Sequence, residues 1–293
     1  MMYRLHHVTR YAYGSAVGLA AHLLHLRPRS LACQRVLSEQ LTADPTPIRT
    51  TEGIDHFGNR VTWLFLDRRH DAFSIASEAV VDVCFPDLPP PETTMPWEAV
   101  VAAGSRSGPE SWQAAEFRFD SPLAPAIAAA GAFARKSFPR DRPVLEALLD
   151  LNARIHHDFT FRAGVTTLTT PVAEVLKRRE GVCQDFAHLM ISALRSLGLP
   201  ARYTSGYIRT RPRPGTTHRR GADQSHAWVG AWLGPAHGWA GLDPTNGIVV
   251  REEHVLVAWG RDYGDVSPVR GVILGGGTHM PEVSVDLDPI NDN

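Results

Sequence analysis

Three side chains that lie far apart in the sequence have the types that a thiol-dependent enzyme needs. Cys183 follows a turn at residues 180–182, His226 lies 43 residues further on, and Asp243 another 17. A thiolate that attacks an amide carbonyl needs an acid to protonate the departing amine, and a third group to orient that acid. We therefore predict a nucleophile, a general acid and base, and an orienting carboxylate, which together would act through a covalent thioester.

The segment after Cys183 has the apolar spacing of a helix. From Phe186 to Leu197, apolar residues recur at offsets of 0, 3, 4, 7, 8 and 11, which defines one continuous face, and Gly198 and Pro200 then end the pattern. Cys183 would thus lie at a helix N-terminus, where the helix dipole and unpaired N–H groups favour a thiolate. Its own backbone N–H is the first oxyanion donor that we expect.

Strand-like segments carry the other two residues. Strands are predicted at residues 201–208, 226–233 and 239–242 and around 247–250, separated by Gly and Pro turns. His226 begins one of these strands and Asp243 follows another, so neighbouring antiparallel strands would bring the two side chains to one sheet edge. Helices are predicted earlier, at residues 122–136 with Ser121 as the N-cap, and at residues 143–157.

Three motifs in this half resemble the core of bacterial transglutaminase-like proteins. They are Gly-Val-Cys-Gln-Asp-Phe-Ala at 181–187, Ser-His-Ala-Trp-Val at 225–229 and Gly-Leu-Asp-Pro-Thr-Asn at 241–246, in the family's order. The first ninety or so residues, including Asp-His-Phe-Gly-Asn at 55–59, resemble the β-rich domain that precedes this core in bacterial proteins assigned as thiol proteases. The resemblance covers nearly the whole chain and implies Cys183, His226 and Asp243 as a catalytic triad.

The resemblance also implies an α+β fold in two domains. A β-sandwich-like N-terminal domain would be followed by a papain-like, transglutaminase-like domain in which the Cys183 helix packs on an antiparallel sheet. Residues 1–88 form the β-rich unit, with strand-like runs at 61–66 and 79–83 and turn signals at 14–15 and 58–59. Residues 89–112 are rich in Pro and Gly and are predicted to form a linker without helix or central strand. Residues 113–293 would be the catalytic domain.

Composition excludes several classes of partner. Thirty Lys and Arg balance 31 Asp and Glu, so no overall field would attract nucleic acid or an anionic membrane. The start of the sequence lacks a secretion-signal pattern and no run of about 18 apolar residues occurs, which predicts a cytoplasmic protein. The three cysteines, Cys33, Cys84 and Cys183, fit neither a disulfide framework nor a zinc motif, and we expect reduced thiols.

No cofactor or metal is predicted either. His156, His157 and His188 match no recognised metal-site spacing, so structural roles are expected for them. Asp185, two residues after Cys183, is expected to cap first-turn amides or to pair with a core group rather than to act on substrate, and Gln184 is likewise kept out of the triad. The arginine-rich segment 209–220 is predicted to be an exposed loop, either a solvated turn or a clamp for acidic substrate.

The reaction and its acceptor remain open at this stage. Hydrolysis of a peptide or isopeptide amide in a peptide or protein substrate is favoured, because water is always available as the second nucleophile. Transamidation of protein glutamine to an amine is the close alternative. An arylamine acyltransferase is disfavoured, since Arg-Glu-Gly stands at 179–181 where that family has Arg-Gly-Gly. A binding module with a relict pocket is the alternative of a different class, and the oligomeric state is not predicted.

Overall fold

Fourteen strands and seven α-helices make up the part of the chain that this computed structural model describes, residues 1–105, 109–210 and 224–290. The strands are β1 Met2–Leu24, β2 Gln34–Asp44, β3 Arg49–Ile54, β4 Arg60–Leu66, β5 His70–Val83, β6 Thr160–Phe161, β7 Glu180–Gly181, β8 Ala201–Ile208, β9 Gln224–Trp232, β10 Trp239–Asp243, β11 Ile248–Val249, β12 His254–Gly260, β13 Val269–Gly275 and β14 Pro281–Ile290. The helices are α1 Trp97–Ala103, α2 Pro109–Ala115, α3 Ala128–Arg135, α4 Val144–Asp158, α5 Val172–Arg178, α6 Cys183–Arg195 and α7 Tyr263–Val266. None of these helices is long and apolar enough to cross a membrane.

The N-terminal sheet curls around the long strand β1. Its strand order is β2-β5-β1-β4-β3, and β1 pairs with β5 along its first half and with β4 along its second. Tyr3 and Leu5 of the first half join the main core, whereas Val17 and Leu24 of the second half join a separate apolar cluster. A sheet that changes layer along one strand gives the sandwich-like unit that the sequence predicts.

One predicted turn in this unit is wrong. Gly14 and Ser15 lie inside β1, where regular pairing with β5 breaks off between Ala12 and Val17. Their N–H groups donate instead to the carbonyls of Thr278 and Gly276, at 3.2 Å each. The glycine signal therefore marks a local irregularity of the strand rather than its end. The second turn signal is confirmed, because Gly58, with a φ of 75°, lies in the loop between β3 and β4.

The C-terminal strands return to the N-terminal sheet. Strand β14 pairs with β1 from Met2 to Tyr11, and β13 pairs with it from Val17 to Leu24. Five strands of residues 1–88 and the last two strands of the chain thus share one sheet. We propose a division in which the catalytic unit predicted at 113–293 contributes β13 and β14 to the N-terminal domain.

The predicted linker at 89–112 contains helical turns, so the expectation that it holds no helix is wrong. Helix α1 begins directly after Pro96, and Pro109 is the first residue of α2. Proline is tolerated at a helix start because that N–H has no intrahelical acceptor. The predicted helix at 122–136 also begins late, at Ala128, because Pro125 lies inside the predicted range.

Helix α6 packs against a five-stranded antiparallel sheet of order β11-β10-β9-β8-β12. Every residue of α6 after Cys183 is buried, and helices α3, α4 and α5 surround it. Its apolar residues, among them Leu189 and Leu194, join Val229 of β9 in the main core. This arrangement confirms the predicted α+β fold of helices packed on an antiparallel sheet.

A buried arginine at the end of α6 joins the surrounding segments. The guanidinium of Arg195 donates to the carbonyls of Phe117, Ala124, Ala201 and Arg261 and to the hydroxyl of Ser121, at 2.7 to 3.1 Å. Ser121 is therefore an acceptor for this arginine and not the predicted helix cap. Five acceptors from three stretches of the chain fix the position of α6 relative to the sheet.

Candidate active site

The N-terminus of α6 holds Cys183 in a tightly built turn. The Asp185 carboxylate accepts the N–H of Val182 at 2.8 Å and the hydroxyl of Thr166 at 2.7 Å, which confirms its predicted capping role. A Cβ at Gly181 would lie 2.8 Å from Asp185 Oδ2, so only glycine leaves room for this contact. Cys183 itself is partly exposed. The cap thus fixes the helix start while leaving the sulfur accessible.

His226 and Asp243 meet across two neighbouring strands. Strand β9 pairs with β10, and Leu242 lies opposite Val229, which brings the start of β9 beside the end of β10. His226 Nε2 donates to Asp243 Oδ2 at 2.7 Å, and both side chains are buried. The Cys183 side chain interacts with the same imidazole and contributes to raising its pKa. The structure therefore brings together the three residues that the sequence predicts for the site.

The electrostatics of this group favour a charged imidazole. Burial lowers the pKa of His226, but hydrogen bonds with Asp243 and Cys183 and the charges of both groups outweigh it and raise the pKa to about 10. Burial acts in the opposite direction on Asp243, yet its bonds to His226 and His254, with the imidazolium charge, hold the pKa of this carboxyl well below its usual range. The buried pair is thus an imidazolium and a carboxylate at neutral pH.

Two further residues, absent from the sequence prediction, hold Asp243 in place. Asn246 Nδ2 donates to Asp243 Oδ2 at 2.7 Å, and His254 Nε2 lies 3.4 Å from the same oxygen. The Arg251 N–H points at His254 Nδ1 at 3.5 Å, which leaves Nε2 as the donor. Asn246 stands three residues after Asp243 in a turn, a local signal that could have identified it. His254 carries no such signal, because it comes from the start of another strand.

Helix α4 contacts the turn that follows Asp243 and holds it in place. His156 Nδ1 donates to the Thr245 carbonyl at 2.8 Å, and Gly247, with a φ of 68°, lies against the same ring. A Cβ at Gly247 would approach the ring to 2.9 Å. His156 is thus a structural residue, as predicted, and it supports the segment that carries the carboxylate.

The other predicted non-catalytic residues also have identifiable places. His188 is buried, its Nε2 accepts the N–H of Tyr263 at 3.1 Å, and burial lowers its pKa to about 4. The exposed His157 contacts the carboxylate of Asp158 at 3.1 Å. Gln184 donates to the Leu168 carbonyl at 3.1 Å. Most of the arginine-rich segment predicted at 209–220, namely residues 211–220, lies outside the described residues.

One group among the described residues has the types and spacing of a metal site. The ligand atoms of His226, Asp243 and His254 lie within 4.8 Å of one another, and all three side chains are buried. Both imidazole Nε2 atoms face the same carboxylate oxygen, so the geometry that would suit a cation already serves a hydrogen-bonded network. That the protein works without a metal stays a prediction.

Family models match two stretches of the chain. Residues 3–82 match the bacterial transglutaminase-like N-terminal region, and residues 132–244 match the transglutaminase-like superfamily. A protein of Mycobacterium tuberculosis is 41% identical over 297 residues, which span 98% of this chain and 92% of that protein. The chain belongs to the transglutaminase-like superfamily. The matched core contains Cys183, His226 and Asp243.

A solved structure and a second relative extend the comparison. The crystal structure of a candidate cysteine protease from Cytophaga hutchinsonii covers all of this chain with a TM-score of 0.78 at 23% identity, over 92% of its own chain. That likeness supports the fold. A protein-glutamine gamma-glutamyltransferase of Pseudomonas aeruginosa is 29% identical over 115 residues, 38% of this chain and 17% of that protein.

Proposed function

We propose that the protein is a thiol-dependent amide-bond enzyme, in which Cys183 is the nucleophile, His226 the general acid and base, and Asp243 the orienting carboxylate. The observation that carries this proposal is the buried 2.7 Å hydrogen bond between His226 and Asp243, on an imidazole whose pKa is also raised by Cys183 at a helix start. Such a triad supplies a nucleophile, a proton carrier and a fixed ring orientation. Membership of the transglutaminase-like superfamily supports the assignment.

The chemistry follows from the two faces of the His226 ring. Nε2 donates to Asp243, which leaves Nδ1 for the Cys183 sulfur and the reacting groups. The sulfur attacks the carbonyl carbon and forms a C–S bond, and the C–N bond breaks as His226 transfers its proton to the leaving amine. In the second half, His226 takes a proton from water, the hydroxide attacks the thioester, and the C–S bond breaks to release the acid.

The start of α6 would also stabilise the tetrahedral intermediate. The first N–H groups of a helix have no acceptor within it, so the Cys183 N–H is available to the oxyanion. The Gln184 side chain is bonded to the Leu168 carbonyl, and we do not assign it to this role.

We favour water as the acceptor, and hence a peptide or isopeptide hydrolase acting on a peptide or protein. Transamidation is the second candidate, because the core is similar to a stretch of the Pseudomonas protein-glutamine gamma-glutamyltransferase. Both reactions share the thioester and differ only in whether water or an amine attacks it. A cytoplasmic location remains part of the proposal.

Mass spectrometry of reaction products tests the proposal and separates the two acceptors. The wild type and Cys183→Ala are each incubated with a glutamine-containing peptide library, with and without a primary amine. Shortened or deamidated peptides from the wild type alone identify a hydrolase, and incorporated amine identifies a transamidase.

The matched control is Cys33→Ala, which removes another partly buried thiol and should leave every product unchanged. Products that persist in Cys183→Ala would contradict the assigned nucleophile. If neither the wild type nor Cys183→Ala forms a product from any peptide of the library, a non-catalytic binding module is favoured. Iodoacetamide labelling adds a direct readout, since Cys183 should react faster than the exposed Cys84 although it is less exposed.

A further inference from the structure

The sheet that carries His226 and Asp243 borders a cavity that the proposed reaction does not use. This cavity has a volume of about 590 Å³ and lies between the sheet and two segments of the N-terminal domain. Its described lining includes Leu31, Phe85, Trp228, Val250 and Leu256 and none of the three proposed catalytic residues. A volume of this size suits one small organic molecule.

A guanidinium without an anionic partner lies in the wall of this cavity. The Arg202 side chain crosses from β8 over Gly230, where a Cβ would lie 2.8 Å from Arg202 Nε. Its Cζ stacks 4.3 Å from the ring centre of Trp239 and 3.8 Å from that of Trp259. Nε is shielded from solvent and has no hydrogen-bond acceptor. Across residues 1–105, 109–210 and 224–290, no carboxylate forms an ion pair with Arg202.

The neighbouring groups do not neutralise this charge. Burial, with the nearby charge of Arg29, lowers the pKa of Arg202 to about 9, so the guanidinium remains charged at neutral pH. Burial raises the pKa of the Cys33 thiol, which therefore stays uncharged beside it. Arg29 stacks on Trp259 at 3.5 Å, and its Nη1 donates to the Asn59 side chain and to the Phe57 carbonyl. Two cations thus flank one indole.

A second cavity on this side of the sheet meets the same side chains. It has a volume of about 460 Å³ and shares Arg202, Trp239 and Trp259 with the first. The guanidinium therefore borders open space on more than one side, and two indole rings stack on it. A ligand that carries both an anionic group and an apolar body suits such a cavity. Its anion pairs with the shielded cation, and its apolar body packs against the apolar walls.

From this geometry we infer that the cavity is a binding site for a small carboxylic acid with a flat apolar body. The carboxylate accepts hydrogen bonds from the Arg202 guanidinium, and the apolar body packs among Phe85, Trp228 and Leu256. A monoanion matches the charge of Arg202, the one cationic side chain in the described lining of this cavity. A dianionic phosphate would leave excess charge in an apolar space.

The site is adjacent to the proposed active site but separate from it. Trp228 forms the common wall, with its ring centre 5.2 Å from that of His254 and 6.2 Å from that of His226. The residues that bind the acid and those proposed for catalysis are therefore different, and either assignment can fail without the other.

Calorimetric titration with 2-naphthoate and the neutral 2-naphthamide tests the inference. The full chain should bind one naphthoate per molecule, and naphthamide at least about tenfold more weakly, which is the loss of one charge-assisted hydrogen bond. Arg202→Met should lose that preference. Arg140→Met removes an arginine that is 91% exposed and should bind both probes as the wild type does.

Cys84→Phe provides a second variant in case Arg202→Met fails to fold. Cys84 is exposed and lines the cavity, so the larger ring should block entry without loss of a buried contact, and naphthoate affinity should fall at least about tenfold. Equal affinity of the wild type for the two probes, no naphthoate binding at millimolar concentration, or full naphthoate affinity in Cys84→Phe would each overturn the inference.

Discussion

Asp243→Asn is the change that acts most directly on the proposed site. The pKa of His226 is raised from 6.5 to about 10, and at about 1.36 kcal/mol per unit the net preference for the imidazolium is roughly 5 kcal/mol. Asp243 and Cys183 supply this preference together, against burial. Asparagine keeps the shape of Asp243 but removes its charge, and without that charge burial lowers the pKa. We expect the pKa of His226 to fall by about 1 to 3 units.

Nuclear magnetic resonance of the imidazole measures this pKa in the folded protein. In the wild type the His226 ring should remain protonated through neutral pH and lose its proton only toward about pH 10. In Asp243→Asn the same transition should move to lower pH. Product formation should fall in parallel, because asparagine no longer fixes the ring in one orientation and tautomer and no longer stabilises its charged form.

The matched control is Asp55→Asn, which removes another carboxylate that contacts a buried histidine. Asp55 Oδ2 lies 3.3 Å from His25 Nε2 in the N-terminal domain, well separated from the site in the sequence. This variant should leave the His226 titration unchanged. If Asp243→Asn shifts the His226 midpoint no more than Asp55→Asn does, the carboxylate does not control the imidazole, and the orienting role fails.

Three further predictions concern stability, each measured by urea unfolding. Gly247→Ala should destabilise the protein by about 2 to 3 kcal/mol, because the new Cβ lies 2.9 Å from the His156 ring at a residue with a left-handed φ. Gly238→Ala is the control: its φ is 66°, but nothing lies within 4 Å of the new Cβ, so the cost should be only about 1 kcal/mol. Equal costs would exclude the clash. Arg195→Met should cost about 3 to 5 kcal/mol, because it leaves four acceptors in buried bonds and a partly buried fifth without their donor. A loss below about 1 kcal/mol would show that water replaces the guanidinium. The raised pKa of His226 contributes stability that is complete below about pH 6.5 and is lost as pH rises toward about 10. The free energy of unfolding should therefore fall over that range, and it should fall less in His226→Gln. Equal falls in the two proteins would contradict the raised pKa.

Local patterns predicted the elements that carry the site. The 3.6-residue period after Cys183 predicted α6, and β8 occupies the predicted range of residues 201–208. Proline was the least reliable signal, because its effect depends on position: Pro96 and Pro109 stand at helix starts, whereas Pro125 delays α3. Proline is compatible with the first turn of a helix but not with its interior, so its position within the element determines where the helix begins.

Long-range partners could not be predicted in the same way. Strands β13 and β14 pair with β1 across more than 240 residues, and nothing in either segment specifies that partner. His254 lies 3.4 Å from Asp243 although two strands separate β12 from β10 in the sheet, a proximity that neither segment specifies.

The family motifs, the helix that begins at Cys183 and the order of the three proposed catalytic residues all follow from the amino-acid sequence alone. The tertiary structure decided the 2.7 Å contact between His226 and Asp243, the support from His254, and the unpaired guanidinium of Arg202 beside a cavity. The two kinds of feature differ in how far apart along the chain the interacting residues lie. Periodicity and capping act within a few residues, whereas charge pairing and shielding from water depend on which distant segments the fold brings into contact.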